Sequence, residues 1–105
     1  MPEFIFTYHG GTKPETPEEG AKCMTAWKAW AENLGTALIN PGTPVGMTKV
    51  LSAGGKSSDA AQNPICGFSI IEATDMDAAI DLLKDCPHFD LGGTLEVSEM
   101  MQMPG

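Results

Sequence analysis

"CGFSIIEATDMDAAIDLLKDCPHFDLGGTLEV", residues 66–97, decides the fold. Its first eight residues are an apolar run rich in β-branched side chains, which predicts a strand over 66–73. Thr74 or Asp75 then supplies a side-chain cap, and "TDMDAAIDLLKDC" (74–86) repeats Met76, Ala79, Ile80 and Leu83 at helical spacing. Those four define the inward face, while Asp77, Asp81 and Asp85 form a solvated outer stripe. Pro87 stops the helix, "HFDLGG" returns the chain, and "TLEVSEMM" (94–101) alternates as a final strand.

The turn in that stretch places Cys86, His88 and Asp90 on alternate positions. Zinc sites in loops draw three or four ligands from paired clusters, and no second cluster lies nearby, so no metal is expected. A Cys–His nucleophile pair needs an imidazole positioned on the thiol, which this spacing does not impose. A helix closed by Cys86 on its apolar side and stopped by Pro87 explains every residue there except His88.

Working outward, "EFIFTY" (3–8) reads as a buried first strand that ends at "HGG". In "TPEEGAKCMTAWKAWAENLG" Thr16 is the N-cap, Pro17 sits at N1 and Glu19 at N3 completes a capping box. Cys23, Trp27, Trp30 and Leu34 share the apolar face, with Met24 and Ala31 beside them, and Gly35 ends the helix. Segments 36–40 and 47–52 read as strands of a hairpin around "PGTPVG", and "AGGKSSDAAQNP" (53–64) as a flexible loop. The order β-α-β-β-β-α-β predicts one α+β domain over 1–105: a ferredoxin-like split β-α-β fold with one added short strand. Its antiparallel sheet carries both helices on one face, and a second copy of the chain is the economical cover for the other.

Composition narrows the function. Six lysines and no arginine stand against fourteen acids, for a formal charge of −8. That balance argues against nucleic acid and anionic membrane surfaces, and it removes the bidentate guanidinium fork that grips phosphates. "GGKSS" (54–58) is not a phosphate loop, because Val50 stands where the motif needs its first glycine. No cofactor is expected. Three widely spaced cysteines suit reduced thiols in a cytoplasm rather than a disulfide scaffold. No apolar run approaches the ~20 residues of a membrane span, and the first residues carry no pattern of a secretory signal.

Two histidines are candidate imidazoles. His9 closes the first strand beside Tyr8 and two glycines, which allow close approach of backbone or ligand, and it ranks slightly ahead of His88. Either is a candidate general base, with Asp59 or Asp90 as orienting partner. Tyr8, Trp27 and Trp30 are the candidate walls of a pocket for a small organic ligand.

The strand closing on Tyr8, "MTAWKAWAENLGTAL" (24–38), "CGFSIIEATDMDAAIDLLKDCP" (66–87) and "GGTLEV" (92–97) together resemble the YCII-related family, particularly its branch with an Asp-Gly-Pro-Phe signature. The resemblance implies a subunit that pairs into a dimeric α/β barrel with a cleft between sheet and helices. Some relatives are small-molecule enzymes with a His–Asp pair, dehydrochlorinases among them. That pair does not carry over: the first helix holds no histidine, and Cys86 stands where the family's Asp precedes the proline. The signature is reduced to Asp59 in "SSDAAQNP", and no arginine follows the last strand. Two functional expectations follow: a homodimer that binds a small ligand, or a lyase or isomerase with a histidine base.

Overall fold

A computed structural model describes residues 1–59 and 61–102. Six strands and two α-helices run in the order β1 (Glu3–Gly10), α1 (Pro17–Leu34), β2 (Leu38–Pro44), β3 (Val50–Leu51), β4 (Ser57–Ser58), β5 (Ile65–Glu72), α2 (Met76–Leu83) and β6 (Gly93–Glu99). The main sheet has the order β2-β5-β1-β6, and every pair in it is antiparallel. That is the ferredoxin-like arrangement expected from the sequence.

Local chemistry starts and stops the helices where the sequence indicates. Thr16 Oγ1 accepts from the Glu19 N–H at 3.1 Å, and the Glu19 carboxylate reaches the Glu15 N–H at 3.0 Å, one residue before the cap. Of the two candidates for the second cap, Asp75 serves: its carboxylate accepts from the Ala78 N–H at 2.8 Å. After α2 the chain turns through a 3₁₀ helix, Pro87–Leu91, that replaces the plain return loop.

Two expectations are corrected. Segments 36–40 and 47–52 do not form a hairpin. β2 pairs with β5 instead, and Val50–Leu51 of the 47–52 segment pair with Ser57–Ser58 of the 53–64 region in a separate ribbon. Pro41 and Pro44 lack the N–H groups an added strand would need, which confines β2 to the sheet edge. On α2, Ala79 and Leu83 are buried but Met76 and Ile80 are exposed, so the inward stripe is narrower than its spacing suggested.

The core lies between the helices and one face of the sheet. Phe4 and Phe6 of β1, Ile71 of β5, Trp30 and Leu34 of α1, and Leu83 of α2 form its centre. Phe6, Tyr8, Trp27 and Trp30 close a ring of edge-to-face contacts with centroids 5.4–6.0 Å apart. Each such contact adds about 0.5–1.5 kcal/mol beyond burial. Two strand positions two apart and two helix positions three apart make this ring, because both spacings bring side chains to the same face. Among the described residues no layer covers the centre of the opposite face of the sheet, where Ile5 and Ile70 sit cross-strand and half-buried.

Candidate functional site

A cleft of about 460 Å³ opens between α1 and the edge of the sheet at β2 and β5. Tyr8 and Trp27, in edge-to-face contact at 5.4 Å, form part of its wall together with Met24, Ser69 and His88. A hollow of about 240 Å³ adjoins it, sharing Tyr8, Trp27 and Ser69 and adding Trp30 and Lys28. Tyr8 and Trp27 thus line the cleft itself, whereas Trp30 is mainly core.

His88 is placed by the 3₁₀ turn and by two glycines. Its ring is 93% buried and stands edge-on to Tyr8 at 5.5 Å. A Cβ on Gly11 would lie 2.9 Å from its Cε1, and one on Gly93 would overlap its Nε2. Gly11, just after β1, does permit a close approach, but what approaches is His88. Its Nε2 lies 2.9 Å from the His9 carbonyl oxygen. A carbonyl only accepts, so Nε2 carries the hydrogen and a neutral ring keeps its lone pair on Nδ1.

His9 takes no part in the cleft. It alternates with Phe6 and Tyr8 and so faces the other side of the sheet, where it is only 4% exposed. Its Nδ1 donates to the Asn63 carbonyl at 2.9 Å, and its Nε2 lies 2.7 Å from Thr7 Oγ1 and 3.5 Å from a Glu96 carboxylate oxygen. Asn63 also donates to that oxygen at 2.9 Å. His9 therefore fastens the end of the long loop to the sheet. Asp59 lies on the exposed ribbon with an 84% exposed side chain and a 3.8 Å pairing to Lys49, and Asp90 is exposed. Neither orients a histidine. Cys86, His88 and Asp90 do not converge: among the described residues no group of three or more His, Cys, Asp or Glu is arranged to hold a metal.

Burial sets the chemistry of the remaining groups. It pushes the Tyr8 phenol up to about 12. It pushes the Cys86 thiol up to about 11. Near neutral pH neither is a base or a thiolate nucleophile.

The sequence reading missed Ser69, Met24, Thr43 and Cys66 as cleft residues. Ser69 carried a signal: it is the one hydroxyl in the inward phase Gly67, Ser69 and Ile71 of β5. Thr43 did not, since "PGTPVG" reads as a turn.

No family model matches the chain, and no curated protein is a significant match. Among solved structures, it is similar to 5-chloro-2-hydroxyhydroquinone dehydrochlorinase from Burkholderia phenoliruptrix, solved in complex with 2,5-dihydroxybenzoquinone. The two share 20% identity over 94% of this chain and 95% of that one, with a TM-score of 0.52. The likeness lies in the subunit fold, an antiparallel sheet with two helices in split β-α-β order. At that identity the likeness is one of fold, not of activity.

Proposed function

We propose that this chain is a YCII-related homodimer that binds a small organic ligand in the cleft between α1 and the sheet. The observation that carries the reading is the cleft wall: a tyrosine and a tryptophan edge to face, a methionine beside them, and one anchored imidazole. Ligand sites are concave and mostly apolar, with a few fixed polar groups. The dehydrochlorinase of the same fold holds a flat ring compound, which agrees with a ring-sized aromatic cleft. Titration with small ring compounds should quench the tryptophan fluorescence of the wild-type protein saturably. Trp27→Phe should weaken binding about three- to tenfold, the equivalent of one lost aromatic contact. Absence of saturable binding across a broad panel would sink the proposal.

Pairing is supported by surface area. A compact monomer of 11.1 kDa exposes ~5,700 Å², whereas this chain exposes 7531 Å². Its radius of gyration of 15.5 Å likewise exceeds the ~13 Å of a compact chain this long. The excess of about 1,900 Å² is the size of one subunit's share in a large homodimer interface. The sheet face around Ile5 and Ile70 is its proposed centre, and Ile70→Lys is expected to convert a species of twice the chain mass to a monomer in analytical ultracentrifugation. A wild-type monomer at tens of micromolar would refute the pairing.

One observation favours a second reading, a lyase or isomerase with His88 as general base. The His9 carbonyl holds the ring in the tautomer that leaves Nδ1 basic, as a general base requires. His88→Gln keeps a donor for that carbonyl, so binding should survive while turnover of a true substrate falls about 10²–10⁴-fold. Unchanged turnover in this variant would rule out the base.

A further inference from the structure

The cleft's polar side chains share a property that none of them shows alone: their hydrogens already point into the protein. Ser69 Oγ donates to the Pro41 carbonyl at 2.7 Å. A serine has one hydrogen, so Tyr8 Oη, 2.9 Å from that Oγ, must be the donor of the pair. Thr43 Oγ1 donates to the Pro44 carbonyl at 3.2 Å, Cys66 Sγ to the Gly10 carbonyl at 3.6 Å, and His88 Nε2 to the His9 carbonyl at 2.9 Å. With those hydrogens committed to the protein, what the five groups have left for a ligand is lone pairs. Among the described side chains of the cleft wall, only the Trp27 indole N–H is a donor with no acceptor in the protein. Among the described residues no Lys, Asp or Glu borders the cleft; Lys28 borders the adjoining hollow.

We propose that the cleft is an acceptor-lined site, selective for uncharged ring ligands that bring their own hydrogen-bond donors, and that Ser69 sets this polarity by taking the hydrogen of Tyr8. The proposal rests on the cleft being a ligand site, as argued above. An anion entering such a wall meets lone pairs where it needs donors and loses its hydration without compensation. An acceptor-only ring is also poorly received, because oxygen would face oxygen. A phenolic O–H, by contrast, finds Tyr8 Oη and His88 Nδ1 on rings whose centroids are 5.5 Å apart. The phenol of Tyr8 keeps its hydrogen across the whole neutral range, so the polarity does not change there.

The test compares phenol, anisole and benzoate, three ligands of similar size, by tryptophan fluorescence and the His88 imidazole resonances of the intact protein. Phenol is expected to bind about tenfold more tightly than either of the others, the worth of one satisfied hydrogen bond. In Ser69→Ala the Tyr8 hydrogen loses its acceptor and is free to turn into the cleft. The phenol preference over anisole should then shrink to about twofold or less, while melting curves report whether the variant is folded. Equal or tighter binding of anisole or benzoate to the wild-type protein overturns the polarity and leaves the cleft reading standing. An unchanged preference in folded Ser69→Ala overturns the role of Ser69. If none of the three ligands disturbs either reporter, the cleft reading falls and this inference falls with it.

Discussion

Replacing Gly93 by alanine is expected to cost ~3 kcal/mol of stability, combining overpacking with the loss of a buried hydrogen bond. Gly93 is a buried strand residue, and the added methyl would overlap His88 Nε2. The ring must leave its place, and with it goes the 2.9 Å bond to the His9 carbonyl. That carbonyl then lies beside the sheet with its side-chain partner lost. For a domain this size ~3 kcal/mol lowers the melting temperature by roughly 10–20 °C. His88 also forms part of the cleft wall, so ligand-induced changes in tryptophan fluorescence should be lost in the same variant. A fall of only a degree or two in thermal denaturation, with ligand response intact, would show that the imidazole is not seated between these glycines.

The second large effect is a loss of stability in alkali. The chain has one tyrosine, so tyrosinate absorbance reports Tyr8 alone. In the native protein it should appear near pH 12, and in the unfolded chain near the ordinary 10.0, about two pH units apart. Both Tyr8 and Cys86 are acids whose neutral form the fold favours, chiefly because burial penalises the charge. The unfolded chain therefore loses protons first, the thiol from about 9 and the phenol from about 10. The native state then binds more protons than the unfolded state, and stability falls as pH rises. Stability from these groups is complete below pH 9 and is lost progressively toward pH 12. Cys86→Ala should remove the part that begins near 9 and leave the part that begins near 10. A native tyrosine that titrates at 10, or a melting temperature flat from pH 9 to 12, would contradict this assignment.

Much of the fold is legible in the sequence because its signals are local. Thr16, Pro17 and Glu19 fix the start of α1 within one turn of chain, and the Trp27–Trp30–Leu34 spacing fixes its inward face. The 66–97 stretch announces strand, cap, helix, stop and strand in that order. The added hairpin failed because strand pairing depends on which edge is free, and two prolines on β2 remove donors that a count of apolar residues does not register. The site was only half legible for a similar reason. Tyr8 and Trp27 announce themselves as aromatic residues on an inward phase, whereas Ser69 and Thr43 matter through what their hydrogens meet.

The sequence by itself determined the class of the protein: an acidic, arginine-free α+β domain with two capped helices, an aromatic inward stripe and no signature of phosphate or metal binding. Only the tertiary structure decided which histidine borders the cleft and which nitrogen of it carries the hydrogen. His9 and His88 both lie where a strand or a helix gives way to a turn. The two-residue period of β1 turns His9 to the far face under Asn63, while a 3₁₀ turn 79 residues later lays His88 against the His9 carbonyl. Alternation is written in the chain, but the partner that meets each face is not, because it comes from distant segments that touch only once the sheet has closed.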